Sequence, residues 1–348
     1  MTQLKYYFTA IAFFCFSFFT VAAQVKLNQS NNEIDNGNIH LSDAVLILPT
    51  GVSGPELKAS EMLLDEVAKR SRIRWEVVNQ LPGKNTKGIV LGQREELIRS
   101  FPSLAEKLRN PTNDKAEGYR IVTLEPNLII VCGNDSWGVL YGAGKLLRMM
   151  DYARDTVSIT GPIDLSTSPR YALRGHQLGY RPKTNSYDGW SVPMWEQYIR
   201  DLVVFGANAI ELIPPVSDDD SDSPHFPLSQ MKMMIEMSRL AKEYGIECWV
   251  WYPAMEKDYG NKATVEKALK DWGNVLSQLP RVDAVFVPGG DPGHTAPKDF
   301  FPMLEKQTRQ LKKLHPGATM WMSPQGFTSA WMSQFYSIIK TEPDWLEG

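Results

Sequence analysis

Apolar residues follow three different patterns along the chain. The first is a run with almost no polar break, Tyr6 to Val21, preceded by Lys5 and followed by the small residues Val21-Ala22-Ala23. A positive start, an apolar stretch and a small-residue exit predict a secretory signal peptide over 1–23, with the mature chain starting at Gln24. The run is short for a spanning helix and a polar segment, Asn28 to Asn38, follows at once. Cys15 sits inside the run with no polar mature start behind it, which argues against a lipid-anchored cysteine.

The second pattern mixes helical and strand periods. Leu57, Ala59, Met62, Leu63, Val67 and Ala68 recur at helical spacing, which predicts a helix from Gly54 to Arg70. Short apolar strands are predicted at Ala44–Leu48, Trp75–Val78 and Gly88–Leu91, then at Tyr119–Thr123 and Leu128–Cys132 with a hairpin turn at Glu125-Pro126-Asn127 between them. A helix is expected from Glu95, and another, capped by Ser136, through Met150. Hairpin strands beside helices predict an α+β sandwich over 24–165.

Ser166-Thr-Ser-Pro-Arg170 has no apolar period and reads as a linker. A regular β-α beat follows. Strands are predicted at Tyr171–His176, Ala209–Ile213, Glu247–Trp251, Ala284–Val287 and Thr319–Met322, with helices near 193–205, 227–244, 263–278 and 298–314 and a fifth from Ser329. Strands apolar on both faces suit a parallel sheet covered by helices. The repeat length fits a (β/α)8 barrel, of which 166–348 would hold about five units, an incomplete barrel. An open five-stranded parallel sheet is the alternative.

A net charge of −3 implies no nucleic-acid or anionic-membrane partner. Cys132 and Cys248, the cysteines outside the leader, lie in apolar strand runs and read as two buried thiols. No zinc spacing, phosphate-cradling glycine loop or Gly-x-Ser-x-Gly elbow occurs, so no metal or cofactor has positive support. Eight of the ten Trp lie after residue 170, where indole faces can serve either a core or a sugar ring.

Barrel active sites lie at the C-terminal ends of the strands. There the fourth strand runs into Val287-Pro-Gly-Gly-Asp-Pro-Gly-His-Thr295, which offers Gly290 for close ligand approach, Asp291 as an acid or base, and His294. A tight turn with Asp291 capping the next helix is the other reading. Arg174, in the first strand, must be paired or point into a polar pocket, where it would grip sugar hydroxyls or a carboxylate. His176, Gln177 and Tyr180 follow it. Glu211, in mid-strand, is either Arg174's partner or a residue of the mouth. Trp251, Tyr252 and Glu256 after the third strand, and Trp321 and Gln325 at the fifth, supply aromatic and amide lining. The acidic run Asp218 to Asp222 lacks the Gly and Glu of a calcium loop and reads as a solvated loop.

Three motifs carry a family resemblance. Gly138-Val-Leu-Tyr-Gly-Ala-Gly-Lys-Leu-Leu147, Ser168-Pro-Arg-Tyr-Ala-Leu-Arg-Gly175 and Phe205-Gly-Ala-Asn-Ala-Ile-Glu-Leu212 resemble the secreted glycoside hydrolases in which an α+β accessory domain precedes a catalytic barrel, namely bacterial β-N-acetylhexosaminidases and α-glucuronidases. The resemblance implies a hydrolase of O-glycosyl bonds in carbohydrate breakdown, exported to the periplasm or medium, with an oligosaccharide or glycoconjugate substrate. Arg174 is similar to a sugar-binding arginine of the hexosaminidases, and Asp291 matches the Asp that in them orients the substrate's acetamido group; from its strand-end position it is expected here to be the catalytic acid. Hexosaminidases carry Gly-Gly-Asp-Glu at the fourth strand, and here Pro292 takes the Glu position. In α-glucuronidases a catalytic Glu precedes a Gly- and Pro-containing loop there, and Asp291 stands in its place. A non-catalytic, carbohydrate-binding barrel is the other expectation.

Overall fold

The computed structural model describes residues 37–83, 86–109, 113–124, 128–179, 189–216 and 223–348. The apolar leader, the turn at 125–127, Tyr180 and the acidic run at 218–222 lie outside the described residues.

The N-terminal half is built on a six-stranded sheet in the order β3(Glu76–Val78), β2(Val45–Ile47), β4(Gly88–Gln93), β6(Leu128–Gly133), β5(Tyr119–Leu124), β9(Asp164–Thr167). The hairpin β5/β6 is antiparallel as expected, but β3, β2, β4 and β6 run parallel, because helices make the crossovers between them. β9 carries this sheet to Thr167, past the expected boundary at 165. A small antiparallel sheet that hydrophobic spacing did not reveal joins β1(Asn38–His40), β8(Thr156–Thr160) and β7(Met150–Ala153).

Helix α1(Gly54–Ser71) starts with a proline in its first turn and ends at Arg72, whose φ of 69° stops the right-handed helix. It buries Ala59, Met62, Leu63 and Val67. Two short helices, α2(Arg94–Ser100) and α3(Ala105–Leu108), follow β4. Helix α4(Ser136–Met149) packs on α1 and is capped by the Asp135 carboxylate, which accepts from the Gly138 N–H.

From Gly175 onward each strand is followed by a helix: β10(Gly175–Leu178), α5(Val192–Val204), β11(Ala209–Leu212), α6(Gln230–Tyr244), β12(Glu247–Trp251), α7(Lys262–Leu276), β13(Ala284–Val287), α8(Pro297–Leu314), β14(Thr319–Met322), α9(Ser329–Ile339). The five strands form one parallel sheet in chain order. One face is buried under helices through Leu178, Ile210, Leu212, Cys248, Val250, Val285, Val287 and Met320. Cys132 and Cys248 are free and buried, as read from the sequence.

The two halves meet through charge as well as apolar contact. Gly144 of α4 lies so close to the Val204 backbone that a Cβ there would sit 2.9 Å from the Val204 Cα. Beside it, Arg200 of α5 is 5% exposed and bonds Glu66 of α1 at 3.1 Å and the Tyr244 hydroxyl at 2.9 Å. Glu66, 2% exposed, also accepts from Arg70, Lys69 and Gln197. Burial alone would raise the Glu66 pKa, but hydrogen bonds from Arg70, Arg200 and Gln197 outweigh it and hold the carboxyl down at about 2.

Candidate functional site

Strand alternation and register decide which side chains share the face of the parallel sheet turned away from those helices. Gln177, Glu211, Trp249, Ala284 and Thr319 are paired across the five strands and form one row. Trp251, Phe286 and Trp321 form the next row toward the C-terminal ends. Most of these are half-buried, in contrast to the sealed helix-facing side. Ala284 has no bulk beside Trp249, so the Trp249 and Trp321 rings approach to 5.3 Å across β13. Gly348 lies against the Trp321 ring. The Gln177 amide donates to Glu211 at 2.8 Å. Burial raises the Glu211 pKa, and the Gln177 bond only partly offsets it.

Asp291 stands beyond the C-terminal end of β13, held by a turn with little freedom. Gly289 has φ of 57°, and a Cβ there would meet the Ser323 carbonyl at 2.4 Å. A Cβ on Gly293 would meet the carbonyls of Glu256 at 2.1 Å and Ala254 at 2.4 Å. The glycines therefore let the loops after β12 and β14 close on the turn. Gly293 N–H donates to Ala254, Gly290 N–H to Gln325, and the Thr295 hydroxyl to Glu256. The Asp291 Oδ2 accepts from the Gln325 side-chain amide at 2.8 Å. His294 is exposed beside it, at φ of 60°.

Of the residues singled out in the sequence, Glu211, Trp251 and Trp321 share the open face, and Asp291, His294 and Gln325 gather at its C-terminal rim. Four others go elsewhere. Arg174 precedes β10, at the edge of the sheet opposite Asp291. Its guanidinium donates to Glu117 at 2.6 Å and to the carbonyls of Gly206, Tyr171 and Ala172. Its carboxylate partner is thus Glu117 of the N-terminal half, not Glu211, and four of its five N–H groups are already engaged there. The strand begins at Gly175 and not at Tyr171 because the Asn208 side chain takes the Arg174 N–H and the Ala172 carbonyl that a strand neighbour would otherwise engage. His176 shares its face with Leu178 and meets the Tyr198 hydroxyl of α5 at 3.0 Å, on the helix side. Tyr252 is 0% exposed and stacks on Trp272 at 3.5 Å, so it belongs to the core. Gly290 is buried against Phe327 and serves the packing of the turn instead of ligand approach.

Glu256 pairs with Lys267 at 3.0 Å and Asp258 accepts from the Gly260 N–H, and neither carboxylate contacts Asp291 among the described residues. Trp249 and Phe286 were missed as lining. Only the register, which period-two alternation cannot supply, puts them in line with Glu211 and Trp321. Among the described residues no cluster of His, Cys, Asp and Glu could hold a metal ion.

Comparison with protein-family models and with curated protein sequences returns no match. Comparison with solved structures does. CpGH84B matches over 82% of this chain and 47% of its own, at a TM-score of 0.57 and 18% identity. The N-acetyl-β-hexosaminidase of Streptomyces plicatus matches over 88% of this chain and 70% of its own, at 0.60 and 14%. BtGH115A, a 4-O-methyl-α-glucuronidase with specificity for decorated arabinogalactans, matches over 86% of this chain and 44% of its own, at 0.61 and 14%. The chain thus spans about half the length of the first of these, and at this identity the likeness is one of fold: over the shared part, an α/β fold with a helix-covered parallel sheet that is common to glycoside hydrolases of several families.

Proposed function

We propose that this chain belongs to an exported hydrolase of O-glycosyl bonds that acts on oligosaccharides or glycoconjugates, with Asp291 as its general acid. The observation that carries the reading is the rim itself. A carboxylate stands in a rigid turn at the C-terminal edge of a parallel sheet, beside an open face of indoles and amides. Indole faces suit the apolar faces of sugar rings, and a carboxyl beside them can protonate a leaving oxygen. The Gln325 N–H on Oδ2 orients the Asp291 carboxyl and leaves Oδ1 for the proton. In this reading 24–165 is the accessory domain, the five β-α units belong to a (β/α)8 barrel, and 1–23 is a signal that sends the protein to the periplasm or medium.

Glycoside hydrolysis needs a second carboxylate about 5–5.5 Å away for retention or about 6.5–9.5 Å for inversion. Glu211 is the one carboxylate in the middle row of the open face among the described residues. It lies two strands from β13, about 10 Å of sheet, and Asp291 stands further out, past the strand end. Glu211 is too distant for either role and Glu256 is engaged by Lys267, so in this reading the base is supplied by a part of the barrel outside these five units. The purified chain is then expected to bind sugar, read as a saturable change in tryptophan fluorescence, without hydrolysing aryl glycosides. Turnover that disappears in Asp291→Asn would overturn the missing base. Absence of binding to hexosaminide and glucuronide oligosaccharides alike would overturn the sugar site.

A second reading, a carbohydrate-binding barrel without catalysis, is favoured by Pro292, which cannot donate a proton where the hexosaminidase pattern has Glu. The two readings separate on a chain that includes the remaining barrel units. The hydrolase reading expects turnover that Asp291→Asn abolishes, and the binding reading expects none.

A further inference from the structure

A second polar cleft lies far from Asp291, where the two halves of the chain join. Its volume is about 220 Å³, and it is walled by Tyr119 of β5, Tyr141 and Arg148 of α4, Thr167 and Ser168 at the end of β9, and Phe205 at the end of α5. Arg174 also reaches it, but its guanidinium is already bonded to Glu117 and three carbonyls. Arg148 differs. It has no ion pair among the described residues, and its guanidinium lies over the Phe205 ring at 5.2 Å. The Tyr119 hydroxyl has no hydrogen bond among the described residues either, and Thr167 and Ser168 line the same cleft. No carboxylate lines it.

This is an unusual surplus of donors. An arginine and three hydroxyl-bearing residues line a space with an aromatic wall and no carboxylate to answer them. Arg forks match planar oxyanions through paired charge-assisted hydrogen bonds. The space is smaller than the roughly 300–1,000 Å³ of sites for drug-sized ligands, so the occupant is small. Phe205, 75% exposed on the rim, has no evident task except to wall the cleft and carry Arg148.

We propose that this junction cleft binds a small oxyanion, a carboxylate or an inorganic sulfate or phosphate, held by Arg148 with Tyr119, Thr167 and Ser168. Because its walls come from both halves, such an anion joins them and stabilises their docking by mass action. The inference is independent of the glycosidase reading, since it uses no residue of the Asp291 rim.

Calorimetric titration of the full chain tests it, with sodium sulfate and sodium malonate as separate probes against sodium chloride at equal ionic strength. Saturable heat with sulfate or malonate and none with chloride is expected, and the tighter of the two identifies an inorganic or an organic source. Arg148→Ala should weaken binding by about tenfold or more, the scale of a charge-assisted bond, and Tyr119→Phe by a few-fold. Arg148→Lys, which keeps the charge and loses the fork, should fall between. Arg154→Ala removes an exposed arginine elsewhere, and its binding should equal that of the unaltered chain. No saturable binding to either anion, unchanged binding in Arg148→Ala, or equal loss in Arg154→Ala would each overturn the proposal. Arg148 is exposed, so its variants are expected to fold, and an unchanged circular dichroism spectrum checks that they do.

Discussion

The buried charge cluster between α1 and α5 makes the docking of the two halves depend on pH, and Glu66→Gln is the perturbation that isolates it. Glu66 is held at about 2 against an ordinary 4.5. At about 1.4 kcal/mol for each factor of ten, that gap corresponds to about 3 kcal/mol of folding stability. The sign follows from the direction. A carboxyl whose pKa is lower in the folded chain contributes fully above its ordinary value and loses that contribution as pH falls from about 4.5 toward 2. The Gln side chain still accepts one hydrogen bond but takes from the buried Arg200 its nearest counter-charge, leaving it Asp65 at 3.3 Å and Glu196 at 3.5 Å, so the loss stays at or below the roughly 3–5 kcal/mol of a buried charge left wholly unpaired. Urea denaturation followed by tryptophan fluorescence should therefore find Glu66→Gln about 3 kcal/mol less stable at pH 7. The difference should shrink as pH approaches 2, where the native carboxyl is itself protonated. A variant within about 0.5 kcal/mol of the unaltered chain at pH 7, the range of an ordinary surface substitution, would refute the reasoning. So would two stability curves that run parallel down to pH 2.

Three other perturbations have defined outcomes. Tyr252→Phe removes a buried hydroxyl that finds no partner among the described residues; thermal denaturation should show equal or higher stability, by up to about 1 kcal/mol, whereas a substrate-binding Tyr252 would lose sugar affinity instead. Gly293→Ala puts a Cβ 2.1 Å from the Glu256 carbonyl, so the Asp291 turn must shift; a stability loss of about 1–3 kcal/mol is expected, together with weaker sugar binding. Burial pushes the thiols of Cys132 and Cys248 up to about 11 and about 12, so a thiol reagent at pH 8 should leave both unmodified until the chain is denatured.

Much of the architecture was legible in the linear pattern. The helical stripe of α1, the five β-α units and the glycine turn at Asp291 all follow from local periods and from residues with special backbone freedom. β12, β13 and β14 have the bounds that their apolar runs predict, because a short run apolar at nearly every position between polar turns leaves little room for another reading. β10 differed because its start depends on Asn208, a side chain from thirty-four residues away.

What the chain could not state locally is which way each charged or aromatic side chain turns and what it meets. A lone arginine in an apolar segment demands a partner, but only the packing of two halves decides that Glu117 fills that need at the edge opposite Asp291. Tyr252 and Trp251 are neighbours of similar chemistry, yet strand alternation sends one into the core and the other to the open face. The Asp291 turn was visible because glycine and proline act on the residue that carries them; the Trp249–Trp321 pair was not, because it rests on the register of three strands, a long-range property set by packing.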